Sequence, residues 1–183
     1  MEIVKGGPTK SEIAAITLLK LKPSPGDVIA DIGCGTGSIS ILAAKKAGFV
    51  YAIDSRKEAI TVTEKNIKES HINNIKLIQG EAPGVLDELP LLDCAFIGGT
   101  KNIKPVLQQL KKKVKNRIVV NAVRIQTVSN IIQIMQDLEI FSEVVHVQIS
   151  KSYELAGEIA FKPLNPVYII VGDTSKEAYR EVP

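Results

Sequence analysis

Asp31-Ile-Gly33-Cys-Gly35-Thr-Gly37 joins an apolar run, Asp27–Ile32, to a helical pattern that runs from about Ser38 to Lys46. A glycine-rich turn between a strand and a helix is where an open parallel sheet receives a nucleotide-type ligand. Glycines there permit a tight turn and let a ligand approach the backbone with no Cβ in the way. Amides at the helix start then face the ligand. The spacing separates ligand classes. A dinucleotide loop needs Gly-x-Gly-x-x-Gly, and here the last glycine falls one residue early, with Ser38 in the expected place. A Walker-type phosphate loop needs Gly-Lys-Ser/Thr, which does not follow. A glycine turn that holds no ligand is the plain alternative.

Outward from this loop, short apolar runs alternate with helical patterns, the signature of βαβ units in a parallel sheet. Pro8-Thr9 opens a first helix to about Leu21, and Lys22-Pro-Ser-Pro-Gly26 stops it. The second strand is Phe49–Asp54, and its helix, about Arg56 to Ser70, carries Ala59, Ile60, Thr63 and Ile67 on one face. Strand three is Ile75–Gln79 and strand four about Leu91–Ile97. The next helix spaces Ile103, Val106, Leu107, Leu110 and Val114 helically, and strand five is Arg117–Ala122. A last helix carries Val128, Ile131, Ile132, Met135 and Leu138, and strands at about Ser142–Ser150 and Pro166–Val171 close the sheet. The pattern predicts an α/β, doubly wound, Rossmann-like fold in a single domain, residues 1–183. Its sheet is seven-stranded and mostly parallel, with an antiparallel C-terminal hairpin. Lys151–Leu164 is longer than a tight hairpin and is expected to extend from the body. The polar tail Asp173–Pro183 is expected to be loosely held.

Composition narrows the function classes. At 183 residues there is room for one domain with a substantial core, and a hydrophobic content of 45% excludes a largely disordered chain. No apolar run approaches the roughly 20 residues that span a bilayer, and the N-terminus lacks the apolar stretch of a signal peptide. Cys34 and Cys94, the only cysteines, are too isolated for a metal site or a disulfide framework. A cytoplasmic, reduced protein with no metal and no membrane partner is expected. The net charge of +3 permits an acidic ligand without demanding nucleic acid. The basic run Lys111–Lys115 complements a helix end, with a ligand patch as the alternative.

Asp-x-Gly-x-Gly-x-Gly resembles motif I of the class I S-adenosylmethionine-dependent methyltransferases. The resemblance implies S-adenosylmethionine as cofactor, held by Gly33, Cys34, Gly35, Thr36 and Gly37. Asp54 ends strand two, where a carboxylate can accept both ribose hydroxyls; an N-cap for the following helix is the alternative. Gly80-Glu-Ala82 follows strand three, where this superfamily lays the adenine ring. Ala82 carries over as an adenine contact, and Glu81 either joins it or is a first-turn acid of the next helix.

Amino-nitrogen methyltransferases carry Asn/Asp-Pro-Pro-aromatic after strand four, where this chain has Phe96-Ile-Gly-Gly-Thr100. Asn165-Pro-Val-Tyr168 looks similar but begins the last strand. Cytosine C5 enzymes need a nucleophilic cysteine, whereas Cys94 lies inside strand four among apolar neighbours and reads as buried and structural. Gly6-Gly-Pro-Thr-Lys10, Asp31-Ile-Gly-Cys-Gly-Thr-Gly-Ser38, Gly80-Glu-Ala-Pro83, Phe96-Ile-Gly-Gly99 and Asn121-Ala-Val123 together resemble the decarboxylating methyltransferases of cobalamin biosynthesis. The resemblance runs from about Val4 to Gly172 and is nearest to the small standalone enzymes of the anaerobic, cobalt-early route.

That resemblance implies methylation of a cobalt-precorrin, a tetrapyrrole, at ring carbon C-15, with loss of carbon dioxide from the C-12 acetate. It also implies a homotetramer, in which Lys151–Leu164 would make subunit contacts. Thr9 matches a cofactor-contacting threonine of the family, and an N-cap role for the first helix is equally compatible. A methylsulfonium is already electrophilic, so the protein's tasks are alignment and desolvation, and no side chain is assigned as a catalytic base. His71 reads as a helix cap and His146 as a strand residue. Lys101 and Lys104 follow strand four and Arg124 follows strand five, at the sheet edge where a carboxylate-bearing substrate would lie; plain surface charge is the alternative for each. Two other functions fit the same fold. One is methylation of RNA, which the 4% aromatic content and the lack of an appended RNA-binding module disfavour. The other is a non-catalytic, cofactor-binding partner subunit.

Overall fold

A computed structural model describes Gly7 and Thr9–Ser175. Helix α1 (Ser11–Leu21) leads into β1 (Val28–Ile32), α2 (Ser38–Ala44), β2 (Phe49–Asp54), α3 (Lys57–Glu69) and β3 (Ile75–Gln79). A 3-10 helix, Gly84–Glu88, precedes β4 (Leu92–Ile97), which is followed by α4 (Ile103–Lys113), β5 (Val114–Ala122) and α5 (Ile125–Asp137). The last elements among the described residues are β6 (Phe141–Val147), β7 (Ser150–Leu155), β8 (Glu158–Pro163) and β9 (Val167–Asp173).

The central sheet is seven-stranded in the order β3-β2-β1-β4-β5-β9-β6. β1, β2, β3, β4 and β5 pair in parallel, and β9 inserts antiparallel between β5 and β6. The doubly wound sheet with its antiparallel C-terminal pair is therefore present. Helices cover both faces, so strand residues of both parities are apolar, as buried parallel strands require. Ile29, Cys94, Phe96, Val119 and Ile169 pack toward α1 and α2. Ala30, Ile32, Ile97, Ile118 and Val120 pack toward α4 and α5. The strand order reverses between β1 and β4, which opens a crevice at their carboxyl ends.

Several boundaries differ from the sequence pattern for identifiable reasons. The N-cap of α1 is Lys10, whose carbonyl accepts from the Ala14 amide at 2.8 Å, so Thr9 is not the cap. Val114 continues the apolar spacing of α4 but is extended; it is the first residue of β5, buried and paired with Leu92, so helix passes to strand without a loop. The inward face of α3 is Ala59, Thr63 and Asn66, with Ile60 and Ile67 only half buried. Lys151–Leu164 does extend from the body, and it does so as a two-stranded ribbon of its own, β7 with β8. The start of the tail is anchored: Asp173 ends β9, and Thr174 donates through its amide to the Asn116 carbonyl and through its hydroxyl to the Val114 carbonyl. The remainder of the tail, residues 176–183, lies outside the described residues. Among the described residues no helix is long and apolar enough to cross a membrane.

Candidate active site

The glycine loop is built by close backbone approach. Gly33 and Cys34 amides both donate to the Ile53 carbonyl, at 2.8 and 2.9 Å, which ties the end of β1 to the end of β2. Gly33 has φ +76°, and a Cβ there would stand 2.7 Å from the Gly99 nitrogen. The loops after β1 and β4 therefore touch only because Gly33 faces Gly98-Gly99. Gly35, with φ +61°, differs: a Cβ there would meet nothing closer than the Arg56 guanidinium at 4.0 Å. Gly35 is an open cradle, and Gly37 caps α2.

Asp54 closes the other side of the loop. Its carboxylate is 3% exposed and accepts the Gly35 amide on Oδ2 and the Arg56 amide on Oδ1, each at 3.0 Å. Arg56 adds its side chain to both oxygens. Burial would raise the Asp54 pKa, but the Arg56 side chain and the Arg56 and Gly35 amides outweigh it and hold the carboxyl below its usual range. The N-cap alternative for Asp54 does not hold, because Arg56 is the N-cap of α3. Asp31, at the end of β1, is fully buried. Burial pushes its carboxyl up to about 7, against a hydrogen bond from the Ser40 hydroxyl, and the nearby Asp54 charge raises it further.

The glycine loop, Asp54 and Arg56 border a cavity of about 950 Å³ at the carboxyl edge of the sheet, and Asp31 is not part of its lining. Thr9, Gly33, Cys34, Gly35, Thr36, Asp54 and Ala82 line it, as do Lys101 and Arg124. Gly37 stands behind the loop, and Lys104 is exposed on the first turn of α4, outside the lining. Lys101 is paired with Glu81 at 3.1 Å. Cys34 is buried, which raises its thiol above the ordinary range, so it stays protonated near neutral pH. Cys94 is likewise pushed up by burial, to about 11, and its thiol donates to the Leu21 carbonyl. His71 takes the left-handed conformation after α3, and the His146 ring stacks on Tyr168 in the neighbouring strand. Asn165 precedes β9 and sits at the cavity wall.

The structure adds roles that the motifs do not announce. Thr63 and Asn66 fasten the glycine loop to α3, and the signal was a Thr and an Asn on the inward face of an otherwise apolar stripe. Asn121 lines the cavity and donates to the Thr17 hydroxyl at 2.9 Å, a contact across 104 positions that no local pattern announces. Lys10 brings a further cation to the lining. Among the described residues, the buried atoms Asp31 Oδ1 and Thr36 Oγ1 find no hydrogen-bond partner. An open glycine cradle, the Asp54 carboxylate and the unpartnered Thr36 hydroxyl at the cavity lining fit a nucleoside with a polar tail. Among the described residues no cluster could hold a metal ion.

Residues 4–172 match the model of the precorrin methyltransferase domain. The chain belongs to the precorrin methyltransferase family. A probable cobalt-precorrin-6B C(15)-methyltransferase (decarboxylating) of Methanosarcina mazei is 53% identical over 174 residues, covering 92% of this chain and 95% of that one. The crystal structure of a precorrin 8W decarboxylase from Methanobacterium thermoautotrophicum superposes with a TM-score of 0.90 at 30% identity, covering 94% of this chain and 96% of its own. That of a precorrin-6Y C5,15-methyltransferase from Geobacter metallireducens gives 0.90 at 31% identity, with 94% of each chain covered. In this precorrin methyltransferase the cavity lies where the strand order reverses.

Proposed function

We propose that this chain methylates cobalt-precorrin-6B at ring carbon C-15, with loss of carbon dioxide from the C-12 acetate, in cobalamin biosynthesis. Family membership supports the reaction, and one observation carries the site: the glycine loop, Asp54 and Ala82 meet around a single cavity with the cations Lys101 and Arg124. S-adenosylmethionine, when bound, supplies an electrophilic methyl group. Gly33, Cys34, Gly35 and Thr36 would form its cradle with Gly37 closing the loop behind them, Asp54 would accept its ribose hydroxyls, and Ala82 and Thr9 would flank it. The ring carbon provides the electron pair of the new bond. The pair released by the departing carboxylate returns to the conjugated macrocycle, so the protein supplies neither metal nor redox partner.

Lys101 and Arg124 face the acetates and propionates of the substrate, with Lys104 further out. Fixed cations of this kind orient a carboxylate-rimmed macrocycle, and exclusion of water leaves the reacting carbon aligned with the methyl group. The substrate in this reading is a tetrapyrrole and not a nucleic acid. The two cysteines are buried free thiols, in keeping with a reduced, cytoplasmic setting.

The same reading includes a homotetramer joined through the β7–β8 ribbon. An isolated two-stranded ribbon is at best marginally stable in water. Here Tyr153 and Leu155 project from one face and Ile159 and Phe161 from the other, all exposed, with Phe161 at 69%. One ion pair, Lys151 to Glu12 at 2.6 Å, ties the ribbon to α1. Apolar residues on both faces suit burial between copies. Transfer of label from methyl-labelled S-adenosylmethionine into a cobalt-precorrin, with none into RNA, tests the enzymatic half of this reading.

A further inference from the structure

Helix α3 carries two buried polar side chains on the face it turns toward the sheet: Thr63 is 0% exposed and Asn66 is 4%. An amphipathic helix ordinarily places apolar residues there, so both positions need a reason. The Thr63 hydroxyl donates to the Gly35 carbonyl at 2.8 Å, and the Asn66 amide donates to the Thr36 carbonyl at 2.9 Å. The Thr63 methyl also fills the space above Gly37, where a Cβ would stand 2.7 Å away.

A trans peptide sends its carbonyl and its N–H to opposite sides. Holding the Gly35 carbonyl against α3 therefore turns the Thr36 N–H away from α3. Other loop amides are already engaged: Gly33 and Cys34 on the Ile53 carbonyl, Gly35 on Asp54, and Gly37 on the Cys34 carbonyl. Thr36 itself lines the cavity, is 2% exposed, and its hydroxyl has no partner among the described residues. We propose that Thr63 and Asn66 are positioning residues that fix the Gly35–Thr36 peptide so that Thr36 presents its donors to an anionic or carbonyl acceptor on the ligand. The inference rests on the cofactor reading above, and the acceptor in that reading is the amino-acid end of S-adenosylmethionine.

The test is calorimetry of S-adenosylhomocysteine binding to the full chain, to Thr63→Val, which keeps the shape and loses the hydroxyl, and to Thr63→Ser, which keeps the hydroxyl. Loss of one such hydrogen bond is expected to weaken Thr63→Val about tenfold. Thr63→Ser should return to within about twofold of the parent. In turnover, KM for S-adenosylmethionine should rise while KM for the tetrapyrrole stays, a split that general destabilisation would not produce. Asn66→Leu should show the same split, and it decides the matter if Thr63→Val does not fold. Parent-like binding in Thr63→Val or Asn66→Leu, or equal losses in Thr63→Val and Thr63→Ser, would overturn the positioning role alone. No binding by the unaltered chain would remove the cofactor reading, and this role with it.

Discussion

Arg56 grips Asp54 at two points, Nε on Oδ1 and Nη2 on Oδ2, both at 3.0 Å. With the Arg56 and Gly35 amides on the same oxygens, the roughly four lone-pair positions of the carboxylate are filled. Ribose hydroxyls reach Asp54 only when the guanidinium swings out, and the Arg56 side chain, 47% exposed, has solvent to move into. Arg56→Ala should therefore bind S-adenosylhomocysteine at least as tightly as the parent near neutral pH. Without the guanidinium, burial would raise the Asp54 pKa, so the variant should lose affinity at a higher pH on acidification. Asp54→Ala is the counterpart and should weaken binding by about 1.5–3 kcal/mol, the range for hydrogen bonds to a charged group. Calorimetry across pH reads all three; a large loss in Arg56→Ala near neutral pH would mean that Arg56 contacts the ligand itself.

Gly33 and Gly35 should fail in different ways. A side chain at Gly33 collides with the Gly99 backbone, so Gly33→Ala should lower the melting temperature. A side chain at Gly35 enters open cavity space from a left-handed backbone, at about 1–2 kcal/mol of conformational cost. Gly35→Val should keep the circular dichroism spectrum of the fold and lose cofactor binding. Normal affinity in that variant would show that the loop is not the cradle.

Asp31 makes stability depend on pH in a stated direction. Its folded pKa, raised to about 7, lies above the usual 3.8. The protonated form therefore stabilises the fold, fully below the lower value, and that contribution is lost as pH rises through about 7. Ser40 faces the group as a donor, while Asp54 and the protonated Cys34 thiol lie beside it. Asp31→Asn has no charge to bury, so its melting temperature should gain on the parent as pH rises from about 5.5 to about 8. A difference that stays flat over that interval would contradict the raised pKa.

Ile159 and Phe161 share one face of the β7–β8 ribbon. Replacing both by Ser should lower the mass seen by light scattering from a tetramer toward a monomer, while the ribbon base, closed by the Leu164 amide on the Ile149 carbonyl, stays in place. Unchanged mass would move the subunit contact elsewhere.

The parts of this fold that local chemistry determines were legible in the sequence. β2 and β3 occupy the residues their apolar runs mark: Val50, Ala52 and Ile53 of β2 are buried, and edge strand β3 is half-buried at Ile75, Leu77 and Ile78 with Lys76 and Gln79 exposed. The β7–β8 ribbon was not, since Ser150–Leu155 is mostly polar and its apolar residues meet no core of the same chain. Val114 fits the helical period of α4 and the strand β5 equally, and pairing with Leu92 decides between them. In the site, the glycines and Asp54 stand out by spacing. Arg56, Thr63 and Asn66 do not, because their roles depend on where long-range packing carries their side chains; Asn121 falls in a quoted motif, but its bond to Thr17 shows only in the fold.

The most direct test of the central claim is the mass of a cobalt-precorrin-6B sample incubated with the purified chain and S-adenosylmethionine. The account predicts a product heavier by one methylene, for the hydrogen replaced by methyl, and lighter by one carbon dioxide. It also predicts that Arg124→Ala raises KM for the tetrapyrrole more than for the cofactor, by the equivalent of about 1.5–3 kcal/mol for a charge-assisted contact. A tetrapyrrole of unchanged mass, with S-adenosylmethionine bound, would contradict the proposed reaction, and a product that keeps its carboxylate would contradict the decarboxylation.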